Sequence, residues 1–523
     1  MTRLTEISAA LCVLFAAFAC VPPAAAQMVT LRSADGSLSL RGDLKDYDGE
    51  TYILETAVGP IPIAAAGVFC DGDACPAQDQ TSASFRILAS KGLEQGLILA
   101  LIEDYSLATD TDIQISADGR DRTEVTLTDF DGELAATILV EPVDTERAFE
   151  GLAISEATVA LTNRPINSGE EQVVTTLGHG DPRSDRSQQI AALDGVVFVT
   201  APDNPIPALR EAEIAAILAG QITSWSEMGG RDGPINVYVA AAETGTQAVI
   251  EDQLLGPLGL TLGANTAILP TDAQVSDRVT SDPFGFGVTT YSSLRSTAPL
   301  LIEGMCGIRS APTPFTIKAE EYAYTKRIYL YRSNRDAPES LETFLDYLRS
   351  DMAQRVIRDA GYVDQQVSSL PINGQGLRFA AAIRPDSAEV SLSQLQDFVD
   401  TVVSADRMSL TLRFEAGAAG FDERARTDLK RLAAMIEEGA MVDREVMFLG
   451  FTDSLGSAAD NRQISQARAD AALAELSELL GEASTVPITA RGFGELSPLT
   501  CDTHAEGQRI NRRVEIWTRS TVR

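Results

Sequence analysis

Three residues near the C-terminal end of the chain, Asp453, Asn461 and Arg468, have the chemistry to hold a small zwitterion. A carboxylate such as that of Asp453 can bind an ammonium group, and the guanidinium of Arg468 can hold a carboxylate through two parallel hydrogen bonds. Asn461 and Arg468 are seven residues apart, a spacing that puts both on one face of a helix. The stretch 450–468 therefore predicts a site for a small ligand that carries both charges.

The surrounding sequence predicts the elements that position these side chains. Residues 448–451 form a short apolar strand, Asp453 lies in the loop after it, and a turn follows at Gly456. A helix is predicted to begin at Asn461, because apolar residues follow at helical spacing. These apolar residues are Ile464, Ala467, Ala471, Leu473 and Leu476. Upstream, the strand LTLRFEAG and a helix from residue 422 to residue 438 complete a βαβαβ pattern.

Three motifs in this region resemble the OmpA-like peptidoglycan-binding domain: GFTDSLGSAADNRQISQAR at 450–468, GFGELSP at 492–498 and GQRINRRVEIW at 507–517. The resemblance covers about residues 401–523. It implies that Asp453 and Arg468 hold the amine and carboxylate of diaminopimelate in a peptidoglycan stem peptide. Asn461 and one of the pair Arg512 and Arg513 would support them. The alternative is that Asp453 caps the helix and Arg468 is a solvated charge.

A second group of residues could bind a small anion. Thr244, Gly245 and Thr246 offer hydroxyl and backbone N–H groups where a helix begins, and helix N-termini favour anions. Earlier in the chain, Ser90, Asn163 and Arg164 follow predicted strands. The alternatives are that the two threonines only cap a helix and that Arg164 belongs to a structural ion pair.

Strands and helices alternate from about residue 82 to residue 372, which predicts a mixed or parallel sheet with flanking helices. The order of the pieces resembles the substrate-binding proteins of phosphate ABC transporters (PstS-like), which have the type II periplasmic-binding-protein fold. The matching segments are Asn204-Pro205, Trp225-Ser226-Glu227, Thr244-Gly245-Thr246, the run DPFGFG at 282–287 and the run EYAYTKRIYLY at 321–331. The resemblance implies two lobes, lobe one at about 81–195 and 296–372 and lobe two at about 196–295.

The chain departs from this family at the residues that would bind the ligand. The family places an arginine four residues before its Ser-Gly-Thr motif, where this chain has Ala240, and Glu243 lies beside the motif. No Lys or Arg occurs between Arg231 and Arg278. A lost charge-assisted pair and a nearby like charge would both weaken phosphate binding.

The N-terminal part, residues 27–80, alternates as four or five short strands with turns between them and predicts a small β module. Cys70 and Cys75 lie close in sequence there, and an oxidising compartment favours a disulfide between them. Cys306 and Cys501 are expected to be free or locally buried, with an interdomain bridge left open.

The first 26 residues are typical of a secretory signal peptide, with Arg3 in a polar start, an apolar run over 9–21 and three alanines before Gln27. We predict cleavage after Ala26 and an exported protein. A lipoprotein site at Cys20 is the alternative, but the Ala-Phe-Ala before it lacks the usual aliphatic residue.

Composition limits the function classes. The 523 residues predict several domains, and the formal net charge of -33 disfavours nucleic-acid binding, which needs clustered Lys and Arg. The two histidines, His179 and His504, lie far apart and beside no acid–base cluster. We therefore expect no enzyme activity, no catalytic residue, no metal site and no other cofactor.

The predicted architecture is multidomain α/β and α+β. Its parts are a signal peptide (1–26), a small β module (27–80), a two-lobed type II periplasmic-binding-protein domain (81–372), a linker and helix (373–400) and an OmpA-like βαβαβ domain (401–523).

These parts predict an envelope protein of a Gram-negative-type bacterium, anchored non-covalently to peptidoglycan and carrying a periplasmic solute-binding domain for phosphate or another small anion. The alternative is an envelope-organising protein whose binding-protein-like domain docks a protein. The predicted partners are diaminopimelate-containing peptidoglycan, a small anion, and an ABC transporter or an outer-membrane protein, but no nucleic acid. The predicted location is the periplasm, at the peptidoglycan and outer membrane.

Overall fold

The computed structural model describes residues 28–33, 39–47, 51–56, 59–64, 68–71, 74–75, 84–117, 122–184, 186–333, 337–376, 378–379, 390–414, 420–481, 485–503 and 505–522. The predicted signal peptide lies outside these residues. The chain divides into two compact units, Met1–Gln80 and Thr81–Arg523. Within the described ranges, no helix combines the length and the apolar character that crossing a membrane requires.

The smaller unit is an antiparallel sheet of five strands in the order β4-β3-β2-β1-β5. Its strands are β1 (Met28–Ser33), β2 (Ser39–Tyr47), β3 (Thr51–Thr56), β4 (Gly59–Ala64) and β5 (Val68–Asp71). Val29, Leu31, Tyr52 and Leu54 form its core, and Cys70 is disulfide-bonded to Cys75. The predicted β module is therefore confirmed.

An 11-stranded mixed sheet runs through both lobes of the larger unit, in the order β14-β13-β15-β11-β19-β10-β6-β9-β8-β7 with β16 beside β11. Its strands are β6 (Ser84–Ser90), β7 (Asp112–Ala117), β8 (Thr123–Thr128), β9 (Leu134–Val143), β10 (Val159–Thr162), β11 (Gln188–Thr200), β13 (Asn236–Ala240), β14 (Ala267–Leu269), β15 (Gly285–Thr290), β16 (Ala298–Pro299) and β19 (Thr325–Arg332). A small separate sheet contains β12 (Ala208–Arg210), β17 (Leu301–Glu303) and β18 (Arg309–Ser310). The long β11 joins the lobes, because one half pairs with β19 and the other with β15.

Helices cover this sheet, as the alternating pattern predicted. They are α1 (Leu99–Ala108), α2 (Thr145–Ala153), α3 (Ser168–Thr176), α4 (Glu211–Leu218), α5 (Thr246–Ile250), α6 (Asp272–Ser281), α7 (Pro314–Lys318), α8 (Glu339–Tyr347) and α9 (Asp351–Asp359). Short 3-10 or π turns occur at Glu94–Ile98, Trp225–Met228, Ala242–Thr244, Glu251–Leu255, Gly256–Leu258, Tyr291–Ser293 and Ile372–Gln375.

The return from lobe two to lobe one comes later in the chain than predicted. Residues 298–324 were expected in lobe one, but Ile302, Ile317 and Tyr322 pack in the same core as Ile214 and Leu218 of lobe two. β17 also pairs with β12 of that lobe. The crossing is therefore β19, whose sheet partners β10 and β11 fix it between the lobes.

The C-terminal region, called the wall domain below, is a five-stranded sheet in the order β20-β21-β24-β22-β23 with helices against it. Its strands are β20 (Ser369–Pro371), β21 (Ala405–Arg413), β22 (Arg444–Phe451), β23 (Ile488–Gly492) and β24 (Arg513–Ser520). Its helices are α10 (Leu392–Val402), α11 (Glu423–Glu437), α12 (Ala458–Leu480) and α13 (Ala505–Asn511). Because β20 pairs with β21, this sheet includes residues that precede the predicted linker.

Helix α12 begins three residues before the predicted start. The Ser457 hydroxyl accepts a hydrogen bond from the Asp460 N–H and caps the helix at Ala458, so Asn461 lies inside the first turn. The predicted apolar face is correct only in part: Leu476 is buried and Ala471 and Leu473 pack against the core, but Ile464 and Ala467 are exposed. The buried face carries mostly small residues, namely Asn461, Ser465, Ala469, Ala472, Leu476 and Leu480.

Two glycines explain this choice of small residues. A Cβ on Gly450 of β22 would overlap the carbonyl oxygen of Ser465, and one on Gly492 of β23 would overlap the backbone nitrogen of Gln466. The helix backbone therefore lies directly on the sheet. The Ser465 hydroxyl accepts a hydrogen bond from the Gly494 N–H at 2.8 Å and fixes the helix against the following loop.

The wall domain is joined to the binding-protein region by a disulfide between Cys306 and Cys501, which resolves the alternatives left by the sequence. The expectation that these two cysteines are free is therefore wrong. Both follow irregular segments, after β17 and after the 492–498 motif, so sequence spacing could not pair them.

A group of buried and half-buried charges also joins the two domains. It is called the Glu320 cluster and consists of Glu320, Glu321, Arg327, Arg407, Arg413 and Arg424. Arg327 holds Glu320 through two hydrogen bonds of 2.6 and 2.7 Å, and Arg424 of the wall domain reaches the same carboxylate at 3.1 Å. Burial alone would raise the pKa of Glu320, but the neighbouring arginine charges hold that pKa well below its usual range.

Removing one member of such a buried pair costs about 3–5 kcal/mol, since it leaves a charge without a partner. The cluster therefore opposes separation of the two domains.

Candidate functional site

A chain of hydrogen bonds crosses the cleft between the lobes. Ser90, at the end of β6, lies 2.7 Å from the Thr145 hydroxyl, which donates to Oδ1 of Asn163 at 3.1 Å. Nδ2 of Asn163 then donates to the backbone oxygen of Thr244 in lobe two, also at 3.1 Å. The structure thus brings together Ser90, Asn163 and Thr244, as predicted from three distant segments. Thr145 was missed, although its place at the start of a helix, after Asp144, was a readable signal.

The turn 244–246 meets Asn163 closely. Gly245 has a φ of 74°, and a Cβ there would lie 3.0 Å from Nδ2 of Asn163, so glycine suits both the backbone and the space. The Thr244 hydroxyl donates to the backbone oxygen of Ala241 at 3.1 Å and receives the Thr246 N–H at 3.4 Å. The Thr246 hydroxyl is buried and lies beside the Asp272 carboxyl group.

Three charged residues that sequence reasoning missed line the same region. Lys326, on β19, donates to the backbone oxygen of Thr244 at 3.3 Å. Asp194, on β11, is buried and accepts hydrogen bonds from the Ser292 N–H and hydroxyl at 3.0 and 2.7 Å. Asp272 begins α6, and its carboxyl group lies beside the hydroxyls of Thr244 and Thr246. The signal for Asp194 was a single charge inside the apolar run ALDGVVFV.

The two carboxyl groups are held in surroundings that disfavour their ionised forms. Burial raises the pKa of Asp272 to about 6, and the charge of Lys326 and the nearby Thr246 hydroxyl oppose this shift. Burial also raises the pKa of Asp194, again against the charge of Lys326. The cleft is therefore lined by hydroxyls, one ammonium and two carboxyls that protonate more readily than usual.

Arg164 does not supply a cation to the cleft. Its guanidinium donates to both carboxylate oxygens of Glu170 at 2.7 and 2.9 Å and to Glu146 at 3.0 Å, and it lies 5.5 Å from the centre of the Phe149 ring. Its predicted role in ligand binding is therefore corrected to that of a structural ion pair, the alternative weighed from the sequence. Ala240, where the family has arginine, is completely buried.

In the wall domain, Asp453, Arg468 and Arg512 gather at the mouth between the β22–α12 loop and the end of α13. Asp453 is 7% exposed and accepts hydrogen bonds from Arg512 at 2.7 Å and from the Leu455 N–H at 3.3 Å. Burial lowers the pKa of Arg468, and the charge of Arg512 adds to this effect while that of Asp453 opposes it.

The Arg468 guanidinium is set up to receive an acceptor. It stacks 5.0 Å from the centre of the Phe414 ring, and its Nη1 is shielded from solvent and has no hydrogen-bond partner in the part of the chain that the structure describes. A ligand carboxylate at this position would complete the coordination of Arg468. Asn461, in contrast, donates to Glu495 at 3.2 Å and supports the neighbouring 492–498 loop.

The sequence predicted a supporting role for one of Arg512 and Arg513, and the position beside Asp453 is held by Arg512, so Arg513 is corrected to a residue of the core. It is completely buried, donates to Glu515 at 2.7 Å and to the backbone oxygen of Ser497 at 2.9 Å, and stacks on Phe451. It is the first residue of β24 and points into the core, while Arg512 precedes the strand and reaches Asp453. Consecutive residues at a strand end face opposite ways, which separates the two roles.

Comparison with known proteins assigns both regions. The model of the PBP superfamily domain matches residues 76–352, more than half of the chain, and that of the OmpA family matches residues 413–512. The phosphate-binding protein PstS of Borreliella burgdorferi is 22% identical over 181 residues, which are 34% of this chain and 65% of that protein. The outer membrane porin F of Pseudomonas aeruginosa is 32% identical over 114 residues, which are 22% of this chain and 32% of the porin.

Among solved structures, an ABC-type phosphate transport receptor from Vibrio cholerae is 19% identical, with a TM-score of 0.40, and covers 53% of this chain and 99% of its own. The chain thus spans less than two thirds of the Borreliella protein and about a third of the porin. The family models and the curated relatives named above are binding proteins and OmpA-like proteins rather than enzymes. The chain belongs to the PBP superfamily and carries an OmpA family domain at its C-terminal end.

Proposed function

We propose that this protein is an envelope protein that binds peptidoglycan through its wall domain and captures a small solute, phosphate or another small anion, in the cleft of its binding-protein domain. The observation that carries the proposal is the joining of two sites in one compact unit. One is the cross-lobe group of hydroxyls around Thr244, and the other is the mouth formed by Asp453 and Arg468. An envelope location, in the periplasm, is supported by the families of the two domains.

Wall binding is tested by sedimentation of the full chain with isolated sacculi that contain diaminopimelate. We expect wild type in the pellet and both Asp453→Ala and Arg468→Ala in the supernatant, because each variant removes one of the two groups that would hold the zwitterion. Asp470→Ala, an exposed carboxylate on the same helix, is the matched control and should pellet like wild type. Pelleting of all variants alike would place the wall contact elsewhere.

Solute binding is tested by thermal shift of the full chain with phosphate, sulfate and small carboxylic acids. A ligand at about 100 times its dissociation constant adds about 2.7 kcal/mol to the free energy of unfolding, which gives a clear shift. Thr246→Val should abolish that shift, because it removes a buried hydroxyl of the turn 244–246 that lies beside the Asp272 carboxyl group. Thr280→Val changes a hydroxyl outside the cleft and should keep the shift.

A second candidate function is favoured by the charges of the cleft. Arg164 is occupied by Glu146 and Glu170, and Asp194 and Asp272 bring two acidic groups beside Thr244. These features support a protein-docking, envelope-organising role in which the binding-protein domain no longer takes a small anion. The absence of any shift across the panel, together with normal sedimentation with sacculi, would favour this second function.

A further inference from the structure

A pocket of about 320 Å³ lies on lobe one, away from the cleft. Its charged lining consists of Arg186, Arg332, Arg349 and Glu342, and this set is called the arginine pocket below. The buried residues Ser187, Leu330 and Leu345 also line it. Lys326, which marks the cleft, and Arg332 are six residues apart on β19, which at ~3.3 Å per residue is about 20 Å.

Arg332 is a buried cation that its neighbours satisfy only in part. It is 6% exposed, and two of its nitrogens donate to the Glu342 carboxylate at 2.6 Å each. Its Nε is shielded from solvent and has no hydrogen-bond partner among the described residues. The Glu342 carboxylate therefore satisfies two nitrogens of Arg332 but not its Nε.

The other two arginines add positive charge that is available to a ligand. Arg186 makes no hydrogen bond or salt bridge within the described ranges. Arg349 has only a surface pair with Asp346 at 2.9 Å, and such exposed pairs contribute little and exchange readily. Hydrogen bonding to Arg332 lowers the pKa of Glu342, and the charges of all three arginines act in the same direction. Three guanidinium groups on one pocket are unusual in a chain of net charge -33.

We propose that the arginine pocket is a second ligand site, for a small molecule that carries at least two carboxylate or phosphate groups. Arg186 and Arg349 at the rim bind one acidic group through charge-assisted hydrogen bonds, and the charge of Arg332 draws the other inward. The volume is at the lower end for small-molecule sites, which restricts the ligand to a compact polyanion. This site is independent of the solute cleft and of wall binding.

The test is calorimetric titration of the full chain at low ionic strength with two probes, citrate and pyrophosphate. We expect saturable one-site binding of at least one probe, and the preferred probe identifies carboxylate or phosphate as the acidic group. Arg186→Gln and Arg349→Gln should each weaken binding about tenfold or more, since each removes a charge-assisted hydrogen bond. Both residues are exposed, so the variants keep the fold.

Two controls separate this site from the others. Arg295→Gln removes an exposed arginine of lobe two and should bind like wild type, so an equal loss there would indicate nonspecific attraction and overturn the proposal. Thr246→Val alters the cleft and should also bind like wild type, so loss of binding in that variant would assign the probe to the cleft. The absence of saturable binding of both probes would equally overturn the proposal.

Discussion

At the scale of single residues, the cleft is lined by two carboxyl groups and one ammonium group that no sequence motif predicted. Asp194, Asp272 and Lys326 come from β11, α6 and β19, and only the fold brings them together. The threonine turn and Ser90 could be recognised because their neighbours form a known order of motifs. The charged residues that distinguish this cleft could not be recognised from the sequence, because a single buried charge forms no motif with a characteristic spacing.

The raised pKa of Asp272 predicts a pH dependence of stability. Between about pH 4 and pH 6 the folded protein keeps a proton on this carboxyl that the unfolded chain, with a pKa of 3.8, has lost. Its contribution to the free energy of unfolding therefore falls as pH rises, by about 3 kcal/mol in total. Asp272→Asn should remove this loss, so that the variant gains stability relative to wild type from pH 4 to pH 6 and keeps that gain at pH 7.

The measurement is thermal unfolding of ligand-free protein across this pH range. Asp277→Asn changes an exposed carboxylate on the same helix and is the matched control. If the stability of Asp272→Asn differs from that of wild type by the same amount at every pH, the raised pKa of Asp272 is contradicted.

At the scale of elements, the wall domain shows which strands and helices can be predicted from the spacing of apolar residues. The strand at 448–451 and the long helix after it were predicted from apolar spacing and are present, within a few residues. The buried face of α12 was predicted only in part, because its contact with the sheet includes Ser465 and Ala469 packed against Gly450 and Gly492. Close backbone contact selects small residues rather than apolar ones, and this reverses the usual pattern.

This packing predicts a large effect of one methyl group. Gly450→Ala should push α12 off β22, because the new Cβ overlaps the Ser465 carbonyl oxygen. We expect a loss of about 1–3 kcal/mol in the free energy of unfolding and weaker sedimentation with sacculi, since Arg468 moves with the helix. Denaturant unfolding of the full chain measures the first effect.

Gly96→Ala provides the control for this substitution. Its Cβ would have no atom within 4 Å, so stability should change little. An unchanged midpoint for Gly450→Ala would show that the helix can shift without cost.

At the scale of the whole molecule, the disulfide and the Glu320 cluster make the binding-protein and wall domains one body. Replacing Cys306 and Cys501 by serine should cost about 2–5 kcal/mol, because the disulfide closes a long loop of the unfolded chain. The Glu320 cluster should nevertheless keep the domains in contact. We therefore expect a lower melting temperature but an unchanged small-angle scattering profile.

The matched control for this prediction is the serine replacement of Cys70 and Cys75, which are five residues apart in the smaller unit. It should leave the melting of the larger unit unchanged. Expansion in solution of the variant that lacks Cys306 and Cys501 would show that the Glu320 cluster alone does not hold the two domains.

The wall domain is attached to both lobes. Cys306 and Glu321 belong to the segment that packs on lobe two, and they bond to Cys501 and Arg407 of the wall domain. Gln365 belongs to lobe one, where it donates to the Ile190 backbone oxygen, and it accepts a hydrogen bond from Arg431 of the wall domain. A protein held on peptidoglycan would therefore have both lobes restrained, and opening of the cleft would require one of these two attachments to yield.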